Sequence, residues 1–383
     1  MKPLLFLIVA IAPLLSFSGI ADDAVNQELD TLFKRAVAHD TVPGITVAVG
    51  DNSGHLFIGA YGFADVENNI PMTPLHKVRI GSVSKLIATA GLMRLKEQNK
   101  IDLDAPIRGY APAWPENKPT ITLRQLTSHT AGIRHYKEGA NEFMLNKQFD
   151  SINDALALFK NDPLLFFPGN DHSYSTFSWT LVSAAMEGAD KGRNFRQIIE
   201  QEVFSPLKLE NTAFDDQYSI IPHRARPYIV DDNSLMNAPQ TDHSYKWAGG
   251  GFISTPSDIV KFAVAHVVTD YLSMETTSEM FTKAKLNSGE NVNFGIGWVV
   301  GFDDYIKREK YQQNSRAQAL MAAMPRAVMH SGGSMGGTTM TILCTEHNRA
   351  VTVVKNVSGD DKADIFLLAL EALSAYHRLS SSY

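Results

Sequence analysis

The sequence predicts a mixed α+β fold: one antiparallel sheet flanked by helices as an αβα sandwich, with an all-helical lobe inserted between its strands. Three observations carry that expectation. Apolar residues recur at helical spacing near both ends, at Val25, Leu29, Leu32, Phe33 and Ala36 and again at Ile365, Leu368, Ala369 and Ala372. Just inside those helices lie strand-like pairs joined by short polar loops. Ile45 to Val49 and His55 to Tyr61 flank Asp51-Asn52-Ser53-Gly54, and Met340 to Cys344 and Val351 to Val357 flank Glu346-His347-Asn348-Arg349. Loops this short connect antiparallel strands. The middle of the chain instead reads helical, with Ile152, Ala155, Leu156, Leu158 and Phe159, then Trp179, Leu181, Val182 and Ala185, on single faces.

These elements describe one folded unit over residues 22–383, with an α/β lobe from about 22–85 and 241–383 and a helical lobe from about 86–240. Residues 1–21 read as a signal peptide. Lys2 supplies the positive end, Leu4 to Leu15 the apolar stretch, and Gly19-Ile20-Ala21 the small residues for cleavage. The expected location is therefore periplasmic or secreted, with membrane contact only if that segment stays uncleaved. The polar stretch from Asp303 to Ser315 has no apolar period and reads as a surface excursion.

A net charge of -6 without a long basic run excludes nucleic acid as the expected partner, because phosphate binding needs clustered Lys and Arg. A small molecule or peptide is the expected substrate. The single cysteine, Cys344, permits no intrachain disulfide and reads as a small buried hydrophobe. Twelve histidines are scattered without a His-Glu-x-x-His pair, so no metal and no cofactor is expected.

The chemistry gathers at Arg79-Ile80-Gly81-Ser82-Val83-Ser84-Lys85-Leu86, where Ser-x-x-Lys opens a helical pattern running through Leu92, Met93 and Leu95. A spacing of three sets the hydroxyl and the amine on one helix face. The positive end of the helix dipole favours an alkoxide and an unprotonated amine. Lysine ordinarily titrates near 10.4, so it serves as a base at neutral pH only when burial or a neighbouring cation lowers that value. Taken alone, the motif also fits a capping serine followed by a solvated lysine.

Further segments follow in order: Leu126-Thr127-Ser128-His129-Thr130-Ala131-Gly132, Phe167-Pro168-Gly169, His172-Ser173-Tyr174-Ser175-Thr176, Pro206 to Thr212, Gly249-Gly250-Gly251-Phe252-Ile253-Ser254-Thr255 and His330-Ser331-Gly332-Gly333. With Ser82 and Lys85 ahead of them, the set resembles the class C beta-lactamase and penicillin-binding-protein-like serine hydrolases across nearly the whole mature chain. His129, the run Gly132 to Tyr136 and Tyr174-Ser175-Thr176 are most similar to a mitochondrial beta-lactamase-like branch and its bacterial relatives.

That resemblance implies a beta-lactamase/transpeptidase-like fold and hydrolysis through an acyl-enzyme. Ser82 would be the nucleophile, Lys85 its base, and Tyr174 a proton relay titrating together with Lys85. The oxyanion hole would use the N–H groups of Ser82 and Gly333, with Gly332 and Thr176 also meeting substrate. This chain departs from the family pattern twice, with Thr176 in place of Asn and His330 in place of Lys. The first loses an amide that holds an acylamino group. The second replaces a fixed cation by an imidazole that, with a reference pKa near 6.5, is mostly charged at about pH 5.5 and mostly neutral at about pH 8. Weak or no beta-lactamase activity and an ester, amide or peptide substrate are the expectation. The alternative is an inactive sensor or self-assembling scaffold of the same fold.

One rival nucleophile remains. Gly332-Gly333-Ser334-Met335-Gly336 matches Gly-x-Ser-x-Gly, which would make Ser334 the nucleophile with His347 or His377 as base. That elbow must lead into a helix, and the β-branched run after Thr338 reads as strand.

Overall fold

The computed structural model describes residues 18–380. The apolar stretch Leu4 to Leu15 lies outside the described residues, and no helix among those described is long and apolar enough to cross a membrane.

Strands form where the alternation and the short loops require them. β1 (Gly44–Asp51), β2 (Gly54–Asp65), β3 (Ile70–Pro71), β4 (Val299–Val300), β5 (Ala327–Ser334), β6 (Gly337–Cys344) and β7 (Arg349–Lys355) build one sheet in the order β3-β2-β1-β7-β6-β5-β4. Every pairing in it is antiparallel, and the first and last parts of the chain meet where Val47 pairs with Val353. Successive side chains point to opposite faces, which gives the sheet two apolar sides. Ile45, Val47, Val49, Ile342, Val351 and Val353 face α1 (Ser18–Ala36) and the C-terminal helix. Ala48, Leu343 and Ala350 face the opposite core, which contains α2 (Ser84–Glu97), α3 (Phe177–Asp190) and α4 (Pro256–Val268). The C-terminal helix, α5, spans Ile365–Ser380. Helix, sheet and helix are thus layered as the sequence predicts.

Between residues 86 and 240 helices and helical turns alternate with long loops, and the only strands among the described residues there are Ala213–Phe214, Tyr228–Asp231 and Ser234–Asn237, which join two small three-stranded sheets. Strands of two to four residues leave too little alternation to register in the sequence. The stretch from Asp303 to Ser315 also differs from expectation. It forms two helical turns, Asp303–Ile306 and Glu309–Gln312, which bury Tyr305 and Tyr311 against Phe366. One aromatic per turn anchors this segment without producing any apolar period.

Phe33 fastens α1 to the sheet: it is fully buried and stacks on Tyr61 at 5.7 Å and on Phe57 at 6.5 Å between ring centroids. Phe33→Ala is expected to destabilise the protein by about 3–5 kcal/mol, the usual loss for a buried phenylalanine. Denaturant unfolding checks this, and a change below about 1 kcal/mol would mean α1 is not part of the cooperative core.

Candidate active site

Ser82 stands on a short 3-10 turn, Gly81–Val83, that runs directly into α2. Gly81 has φ +50, and a Cβ there would lie 2.6 Å from the Gly333 backbone. Only glycine lets the turn bend this way and lets β5 run so close beside it. Gly332 is equally constrained, since a Cβ would lie 2.0 Å from the Ile80 carbonyl oxygen and 3.1 Å from the Ser82 nitrogen. Arg79 fixes the approach. Its Nε is 2.7 Å from the buried Asp215 carboxylate, and its Nη1 donates to the Met335 carbonyl at the β5–β6 turn. Asp215 also faces His243 at 3.3 Å and Arg224 at 3.5 Å, and the His243 contact with the charges of Arg79 and Arg224 holds its carboxyl well below the usual range despite burial.

One turn into α2, Lys85 is completely buried. Its Nζ lies 3.0 Å from Ser82 Oγ, 3.4 Å from Thr176 Oγ1 and 2.6 Å from the Gly249 carbonyl oxygen. All three partners are uncharged oxygens. Burial pushes the amine well below its ordinary pKa, and the Lys246 ammonium adds to that shift. Tyr174 donates its phenol hydrogen to Ser82 Oγ at 2.7 Å, and Lys85 Nζ stands 4.9 Å from the centre of the Tyr174 ring. Burial pushes the phenol up, against hydrogen bonds from Ser82 and Thr176. The two shifts are opposite: a readily deprotonated amine faces a phenol that keeps its proton.

The segment bearing Tyr174 is held from behind by two imidazoles. His129, at φ +63, accepts the Ser175 N–H on Nδ1 at 3.1 Å and sets its ring 4.4 Å from that of Tyr174. His135 Nδ1 accepts the Thr176 N–H at 3.2 Å. Burial, reinforced by the positive charge Lys85 carries when protonated, lowers the pKa of both, that of His135 to about 4. Nitrogens that accept backbone hydrogens cannot carry protons of their own, so the geometry and the titration agree.

The remaining sequence-predicted residues divide between cleft and interior. Gly333 is exposed, and a Cβ on it would meet nothing within 4 Å, so it faces open space beside Ser82. β4 pairs only with Val328 and Met329, which leaves the outer edge of His330 to Gly333 uncovered by a strand. Gly332 packs beneath Ser82. Thr176 is buried against Lys85, which makes it a partner of the amine.

His330 departs most from the expectation. It is 3% exposed, its Nδ1 lies 2.5 Å from the Ser331 carbonyl oxygen, and its Nε2 has no hydrogen-bond partner. Burial, then the charge Lys85 carries when protonated, pushes its pKa down to about 3. It is therefore neutral across the range in which the sequence expectation had it titrating. An isolated reference value cannot anticipate the desolvation of a ring packed near Tyr174 and Phe294.

The elbow alternative fails on topology. Ser334 is buried in β5, pairs with Gly337 and leads into a strand. His347 and His377 lie near Cys344, at the opposite end of the β5–β6 hairpin.

Sequence reasoning missed Lys246. It is buried and donates to the Phe143 carbonyl at 3.3 Å, with its ammonium within 5.6 Å of the ring centres of Tyr136, Phe143 and Tyr245. Burial and the Arg79 cation lower its pKa to about 7. The only signal in the sequence is its position three residues before Gly249, whose carbonyl receives Lys85. A hollow of about 1650 Å³ lined in part by Glu97, His266, Ser273 and Thr345 touches none of these groups.

An αβα sandwich that sets a serine and a buried lysine at a helix start, beside a glycine-bearing strand edge, is the arrangement of the beta-lactamase-fold family of serine hydrolases. Residues 29–375 match the Beta-lactamase family, and the chain belongs to it. It is 29% identical over 401 residues to the human serine beta-lactamase-like protein LACTB, mitochondrial, covering 82% of this chain and 71% of that one. Among solved structures it resembles EstCE1, a hydrolase with promiscuous acyltransferase activity, with a TM-score of 0.75 at 21% identity over 93% of this chain and 99% of that one. The D-amino acid amidase of Ochrobactrum anthropi SV3 gives a TM-score of 0.75 at 20% identity, again over 93% and 99%. At these identities the two structures establish the fold.

Two outcomes follow from these electrostatics. Lys246→Met removes a cation that disfavours protonated Lys85, so the acid limb of the kcat/KM profile for an ester should move to higher pH while the alkaline plateau holds. A uniform loss at every pH would mean Lys246 only supports the fold. With His330 neutral throughout, the ratio of acylation efficiencies for an anionic over a neutral substrate should stay flat between about pH 5.5 and 8. A ratio that falls as pH rises would show that His330 carries a titrating charge to the substrate.

Proposed function

We propose that this protein is a serine hydrolase that cleaves ester, amide or peptide bonds through an acyl-enzyme on Ser82. The observation that carries the reading is the Lys85 amine, fully buried 3.0 Å from Ser82 Oγ with no carboxylate among its hydrogen-bond partners. A neutral amine offers two hydrogens and one lone pair. The Gly249 carbonyl and the Thr176 hydroxyl take the hydrogens, which leaves the lone pair for the Ser82 hydroxyl.

Ser82 Oγ attacks the substrate carbonyl while its proton passes to Lys85 Nζ. The developing oxyanion is stabilised by the N–H groups of Ser82 and Gly333. Collapse of the intermediate breaks the bond to the alcohol or amine, which takes the proton from the Lys85 ammonium by way of the Tyr174 phenol. Water, deprotonated in the same manner, then attacks the acyl group, releases the acid and restores the Ser82 hydroxyl.

Substrates without a required carboxylate fit this site best. A neutral His330 offers no fixed cation, and Thr176 turns towards Lys85, so beta-lactam turnover should be weak or absent. The fold is shared with EstCE1, a hydrolase with promiscuous acyltransferase activity, and with a D-amino acid amidase. Export by the N-terminal segment to a periplasmic or secreted location belongs to this proposal too.

A fluorophosphonate should label Ser82, as read by mass spectrometry of the modified peptide, and Ser82→Ala should abolish both labelling and hydrolysis. Lys85→Arg, which keeps the charge but offers no accessible neutral form, should slow acylation by about 10²–10⁴-fold. Near-normal acylation in that variant would remove Lys85 as the base.

A further inference from the structure

A second cluster of reactive side chains lies away from the catalytic cleft. Cys344 ends β6, His347 sits in the turn to β7, and His377 lies near the end of α5. One ligand atom from each, the thiol sulfur and two imidazole nitrogens, falls within 4.8 Å of the others. Cys344 Sγ is 3.1 Å from His347 Nδ1, and the two imidazoles stack at 4.1 Å between ring centroids. Cys344 is completely buried and His377 is 8% exposed. The reading of Cys344 as an inert hydrophobe accounts for its burial but not for two imidazoles at its sulfur, one from the adjoining turn and one from the C-terminal helix.

We propose that Cys344, His347 and His377 form a binding site for one borderline-soft divalent cation of the zinc class. The donor set selects the metal. A thiolate with two imidazoles suits Zn²⁺, whereas Ca²⁺ and Mg²⁺ require oxygen ligands that this triad lacks. Bonds of about 2.3 Å to sulfur and about 2.0 Å to nitrogen in a tetrahedron place the ligand atoms roughly 3.5 Å apart. From the observed spacing the sulfur and His347 separate by a few tenths of an ångström while the wider spacing, at most 4.8 Å, closes by side-chain rotation of the ligands. The fourth position is left for water. Binding breaks the Cys344 S–H bond, forms the S–metal bond and releases the proton to solvent.

Of the charged groups beside the triad, Glu346 pairs with Arg326 and Arg349 with Asp51. The Cys344 end of β6 pairs with Ala327, at the far end of the hairpin from the Ser334–Gly337 turn beside the nucleophile. The ion would therefore take no part in catalysis and would tie the β6–β7 turn to the C-terminal helix. No metal motif was visible in the sequence because the third ligand comes from a helix 30 residues beyond His347.

The test uses the full folded protein, stripped with a chelator and titrated with Co²⁺. One equivalent should produce the visible bands of tetrahedral cobalt together with a thiolate-to-cobalt charge-transfer band in the near ultraviolet. Cys344→Ser should lose the charge-transfer band, and His347→Ala, on a turn where truncation leaves the core intact, should lose high-affinity binding. Zn²⁺ should raise the melting temperature of the wild type and leave that of His347→Ala unchanged. Absence of the charge-transfer band in the wild type, or cobalt binding undiminished in His347→Ala, would overturn the site.

Discussion

The rest of the structure is arranged around an amine kept out of water. Lys85 has no counter-ion among its hydrogen-bond partners, only the Ser82 hydroxyl, the Thr176 hydroxyl and the Gly249 carbonyl. A charged ammonium there loses its hydration without gaining a carboxylate, so the neutral form is favoured. Several features are needed to sustain that state. The sheet and α2 exclude water, Gly249 presents its carbonyl, and Lys246 adds positive potential from within its own aromatic surround. Arg79 and Asp215 hold the entering strand to the β5–β6 turn, so that Gly332 and Gly333 stay against Ser82.

The same burial that prepares the lysine fixes the neighbouring groups. His129 and His135 remain neutral and accept backbone hydrogens, which sets the position of Tyr174 and Thr176. His330 stays neutral too, although it stands where the family pattern has lysine. One dry environment therefore lowers the pKa of both Lys85 and His330. On the proposed function, catalytic competence and a preference for less anionic substrates share that single physical origin.

Much of this was legible in the sequence. Both hairpins, the flanking helices and the Ser82–Lys85 pair follow from apolar periodicity, loop length and helical spacing, which are local properties. What escaped depends on distant elements coming together. Lys246 looks like any lysine until Tyr136 and Phe143 from a distant segment join its neighbour Tyr245 around it. His330 titrates normally on paper, and only packing reveals its desolvation. Tyr305 and Tyr311 anchor a stretch with no period, while Cys344 meets His377 through the tertiary fold. Charge and burial are non-local, so a residue's type reports them poorly.

The central claim is that Lys85 is a neutral amine at neutral pH before any substrate arrives. The direct measurement is heteronuclear NMR of selectively labelled lysine side chains across pH, with the Lys85 signal assigned from its absence in Lys85→Met. The account predicts a Lys85 resonance with the chemical shift of a free amine at neutral pH, acquiring its proton only well below the usual lysine range. A Lys85 resonance that keeps the ammonium shift up to about pH 10 would contradict it.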